Sequence, residues 1–187
     1  MSPKDDISAP PVQWKIDPAH SAAHFSVRHM MVSNVRGEFG KVSGTVNLDR
    51  EDIRRSTVEA SIDAASIQTR EAARDKHLRS ADFLDIDRFP VITFKSKKVD
   101  GTRESGLAVT GDLTIHGVTR EVVLTVEPLS EEVADPYGNF RIGTSATTRI
   151  DRRDFGLTWN AALETGGVLV GTEVKITVEV ELTRPAK

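Results

Sequence analysis

The chain has 187 residues, 38% hydrophobic and 28% charged, enough for one well-buried core and too few for two domains to be the first expectation. A net charge of −3 and only 5% aromatic residues leave no basic surplus for phosphates and few rings for base stacking, so nucleic acid is not an expected partner. Cysteine is absent, which excludes disulfides and thiolate chemistry, and no apolar run approaches the roughly 20 residues of a membrane helix.

Residues 1–12 hold three prolines and little to bury, so a disordered tail is expected there and the domain over residues 13–184. The start has two aspartates and no apolar h-region, so it does not read as a signal peptide, and a cytoplasmic location is expected. The first strand signal is Ala23 to Met30, where Phe25 and Val27 alternate with His24, Ser26 and Arg28. Phe39, Val42, Val46 and Leu48 continue it, with a parity shift beside Gly40 that predicts a bulge or bend. Val58, Ala60 and Ile62 form a third apolar row.

Between Thr69 and Asp87 the period changes. Ala72, Ala73 and Leu78 fall at helical offsets, Thr69 is a candidate N-cap, and Asp75 and Arg79 form an i,i+4 charge pair, which predicts a short helix. Ser80 is placed to cap a further turn carrying Phe83 and Leu84, before Pro90 ends any helix. Alternation resumes with Ile92 and Phe94, turns at Asp100-Gly101, and runs through Leu107, Val109, Leu113 and Ile115. After Gly117 come Val122, Leu124 and Val126, then a turn at Asp135 to Gly138, then Phe140, Ile142, Ala146 and Ile150. A loop with Gly166 and Gly167 leads to Val174–Leu182, VKITVEVEL, whose period of two makes one face apolar and the other wet.

About eight strands with one or two short helices predict an all-β antiparallel fold and exclude a doubly wound parallel sheet. A barrel of this size holds either packed side chains or one small ligand, and a sandwich fills its middle.

Few residues suggest other chemistry. His20, His24 and His29 lie close in sequence, but their spacing does not place all three on one strand face, so no metal site is expected. Asp82, Asp85 and Asp87 lack the glycine turn of a calcium loop. No G-x-S-x-G elbow occurs, and Gly166-Gly167 lacks the lysine of a phosphate loop, so catalysis is not expected. Arg149, Arg152, Arg153 and Asp154 beside Phe155 and Trp159 read as a surface ion-pair network. The other reading has one arginine meeting the head of an apolar ligand.

Four stretches resemble the YceI-like family: Trp14 to Phe39, Arg74 to Ser96, Gly111 to Arg120 and Ile150 to Leu157, in the family order. The resemblance implies an eight-stranded lipocalin-like barrel that binds a long polyisoprenoid or isoprenoid quinone in an apolar tunnel, for storage, sequestration or transport. It implies a homodimer and no cofactor or enzymatic step. The alternatives are a solid barrel acting as a protein-interaction module, and a histidine metal-binding protein. On the apolar parity of their strands, the expected tunnel residues are Phe25, Val27, Phe39, Val58, Ile62, Ile92 and Phe94 in the first half. Leu113, Ile115, Leu124, Ile142, Ile176 and Val178 follow in the second.

Overall fold

The computed structural model describes residues 9–186. These form strands β1 (Val12–Ile16), β2 (Ala22–His29), β3 (Ser33–Phe39), β4 (Val42–Leu48), β5 (Thr57–Asp63) and β6 (Ile67–Gln68), then the helix α1 (Ala72–Arg79). They continue through β7 (Val91–Thr102), β8 (Gly106–Ile115), β9 (Val118–Val126), β10 (Val133–Ala134), β11 (Asn139–Asp151) and β12 (Val170–Pro185). Residues 1–8 of the expected tail lie outside the described residues, and β1 begins inside the remainder.

Hydrogen bonding runs β11-β9-β8-β7-β5-β4-β1-β12 and closes where β12 pairs with β11 from Glu173 to Pro185, an antiparallel ring of eight. Closure removes the unpaired edges that an open sheet would expose. The other segments are continuations. The partner of β12 changes from β1, at Lys15↔Thr183 and Ile16↔Leu182, to β2, at Ala22↔Glu179 through Val27↔Val174. β1 and β2 are therefore halves of one bent strand, and so are β3 with β4 and β5 with β6. The bend expected beside Gly40 is the break between β3 and β4. A register shift between Ser96 and Lys98 likewise lets Ile92, Phe94 and Val99 all face inward despite their mismatched parity.

The corner between β1 and β2 is held by charge. Arg141 on β11 donates to Asp17 at 2.8 Å, to Asp135 at 2.8 Å and to Glu181, while His20 lies 2.9 Å from Asp17. The Arg141 guanidinium, followed by His20, holds the Asp17 carboxyl below its ordinary 3.8, at about 2. A depressed carboxylate stabilises the fold above its ordinary value, and that contribution is lost as pH falls toward the folded value. The slope of melting temperature between pH 4 and pH 2 should therefore be shallower in Asp17→Asn than in the parent, measured by circular dichroism. Equal slopes would remove Asp17 from the acid response.

The helix differs in detail from its sequence expectation. Glu71, not Thr69, caps α1, accepting from the Ala73 amide at 3.2 Å. Thr69 instead gives both its amide and its hydroxyl to Asp75, at 2.8 and 2.5 Å. Asp75 is thereby buried and does not pair with Arg79, which donates to the carbonyls of Ala65 and Ile67. Beyond Ser80 the chain forms turns rather than a second α-helix, with the Leu84 amide bonded to the Leu78 carbonyl. Asp82 pairs with His77, and Asp85 is buried rather than solvated.

Candidate functional site: an apolar hollow with one cationic end

The barrel encloses a cavity of about 610 Å³, within the roughly 300–1,000 Å³ of small-molecule sites. All the expected tunnel residues except Ile142 line it: Phe25, Val27, Phe39, Val58, Ile62, Ile92, Phe94, Leu113, Ile115, Leu124, Ile176 and Val178. Ile142 has the inward parity but is buried with Trp14, in the packed cluster whose Val42 and Leu182 border the cavity. Parity gives the face of a strand, not its height, so it cannot separate a tunnel wall from a plug.

Two rings lie along the wall instead of across the lumen. A Cβ on Gly37 would sit 2.5 Å from the Phe25 ring, and one on Gly111 would sit 2.6 Å from the Phe94 ring. Both rings therefore occupy space that only glycine leaves open. In that position they coat the sheet and keep the hollow unfilled.

The other end is covered by α1 and the segment after β11. From α1, Ala73, Arg74, His77 and Leu78 reach the cavity, and Phe83, Leu84, Leu157, Trp159 and Leu169 join them. The rings of His77, Phe83 and Trp159 meet in edge-to-face and tilted contacts at centroid distances of 4.7–5.3 Å, joining the helix to the later loop. The helical offsets of Ala73 and Leu78 signal a helix, but Ala73 is exposed and nothing local says that this helix covers a lumen.

Arg152 departs most from expectation. Arg149 and Arg153 do form surface ion pairs, with Glu173 and Asp151. Arg152 is only 4% exposed and lines the cavity. Its Nε donates to the Gly171 carbonyl at 2.8 Å, its Nη1 to Leu157 and Trp159 at 2.6 and 2.9 Å, and its Nη2 to Val170 at 3.3 Å. Burial pushes its pKa down, against an opposing pull from Asp151; an arginine remains charged under such pressure. The surface-network reading therefore fails for this residue.

The histidines are dispersed. His24 faces Glu38 at 3.5 Å, and His29 shares the inward parity of Phe25 and Val27. His20 joins Asp17 and Glu181 in the only group of described residues with metal-ligand geometry, but the Arg141 guanidinium already contacts both carboxylates. A cation would have to displace it.

A closed antiparallel eight-stranded barrel with an apolar hollow is the architecture of lipocalin-like binding proteins. A YceI-like domain model matches residues 14–182, and the chain belongs to that family. The UPF0312 protein SA2479 of Staphylococcus aureus (strain N315) is 39% identical over 170 residues, 91% of this chain and 96% of that one. In fold, the chain is similar to Burkholderia cenocepacia BcnA, with a TM-score of 0.76 at 23% identity, covering 89% of this chain and 98% of that one. It is also similar to a polyisoprenoid-binding domain from Saccharophagus degradans, with a TM-score of 0.65 at 19% identity over 92% and 98% of the two chains. No described helix is long and apolar enough to cross a membrane.

Proposed function

We propose that this protein binds a long polyisoprenoid lipid, a prenol derivative or an isoprenoid quinone, inside its barrel, and carries or sequesters it without chemical change. The observation that carries this reading is the hollow itself: a cavity of about 610 Å³ walled by Val, Ile, Leu and Phe on nearly every strand of the ring. Burying apolar surface gains about 25 cal/mol per Å², so a long tail binds there with few polar contacts. That the same architecture is described as polyisoprenoid-binding in the Saccharophagus degradans domain agrees with this reading. Protein purified without detergent should yield an extractable lipid near one equivalent per chain by organic extraction and mass spectrometry. Finding none, together with no uptake of added prenyl lipid, would sink the proposal and favour a solid module acting through its surface.

A further inference from the structure

The charge on the cavity wall is one-sided. The titratable side chains that reach its boundary are His24, Arg28, His29, Arg74, His77 and Arg152, with no aspartate or glutamate among the described lining residues, although the chain carries 28 acidic groups. His24 and Arg28 have the outward parity of β2, and Arg28 is exposed, so the inward charge rests on Arg74 and Arg152. A short chain of contacts links these two arginines. Arg152 holds the Trp159 carbonyl, the Trp159 ring meets His77 edge to face at 4.7 Å, and Arg74 lies one helical turn before His77.

Neither guanidinium has a carboxylate of the described residues within 4.0 Å. Asp75 meets Arg74 only through the Thr69 hydroxyl between them, and Asp151 is held by Arg153. Buried charges are ordinarily paired, because desolvation without a counter-charge is costly. Arg152 offsets that cost only with neutral carbonyls. Its four bonds leave one of its five N–H donors over, and Arg74 uses two donors on Thr69, leaving three. Cation without counterion, spare donors and an apolar hollow adjoin at one end of the barrel.

We propose that this end of the cavity is a subsite for an oxyanion, so that the cargo is a prenyl lipid with a phosphate or carboxylate head rather than a neutral quinone. The inference rests on the tunnel reading given above and narrows it. Charge-assisted hydrogen bonds contribute enough to separate anionic from neutral heads by about tenfold or more.

The test compares geranylgeranyl phosphate, geranylgeranoic acid and geranylgeraniol, which differ only in the head, by isothermal titration calorimetry at low salt. The expected result is that at least one anion binds about tenfold tighter than the alcohol, the stronger of the two naming the head. Arg74→Gln should narrow that ratio. Equal affinity of alcohol and anions would overturn the subsite and leave the tunnel standing. No binding by any of the three would overturn both.

Discussion

Replacing Ile176 with tryptophan is expected to abolish lipid uptake while leaving the barrel folded. Ile176 pairs with Phe25 on β2 and Thr148 on β11, and its side chain faces the hollow. In a packed core, the added indole volume would force neighbours off their rotamers, costing about 1–3 kcal/mol. In a hollow of about 610 Å³ the indole instead gains buried area, and the melting temperature should hold or rise. The ligand bears the loss. Displacing one five-carbon isoprene unit forfeits roughly 3–4 kcal/mol at about 0.8 kcal/mol per buried CH₂, or at least about 100-fold in affinity. Lipid recovered from the purified variant and a thermal melt measure the two effects. Undiminished lipid content, or an unfolded variant, would contradict a hollow at this position.

The walls of that hollow are legible in the sequence because each strand is buried on one face only. Ile176 and Val178 on β12, or Leu124 on β9, announce their direction through polar neighbours such as Thr177 and Thr125. Whatever depends on distant partners is not legible in this way. Ile142 reads as wall because nothing near it in the chain reports that it packs beside the buried Trp14. Gly37 and Gly111 read as ordinary strand glycines until the register places the rings of Phe25 and Phe94 over them. Arg152 is the extreme case. A charged residue between charged neighbours has the pattern of a solvated surface, and its burial follows only from carbonyls contributed by residues 157–171. The resemblance to the YceI-like family supplied the barrel where alternation alone left a sandwich open.

Those carbonyls make Arg152→Met the substitution with the largest expected cost to stability. Methionine fills similar space without donors, so the carbonyls of Leu157, Trp159 and Gly171 lose the bonds Arg152 gave them. Val170 retains a bond from the Asn160 amide at 2.7 Å. At roughly 1–3 kcal/mol for each group left short, the loss is on the order of 4 kcal/mol, or roughly 10 °C in melting temperature for a chain of this size. Arg152→Lys separates charge from geometry. An ammonium keeps the positive charge but is a point donor, and cannot bridge carbonyls on both the segment after β11 and the start of β12. It should recover less than half of the lost stability while preserving a preference for anionic heads. Calorimetry on both variants decides the stability claim, since a melting temperature for Arg152→Met within about 2 °C of the parent's would mean these three carbonyls are satisfied without it. The same guanidinium thus ties the barrel's last strand to the segment beside α1 and fixes a positive charge at the hollow's covered end. Any substitution that weakens the anion preference there must be judged against the fold it also supports.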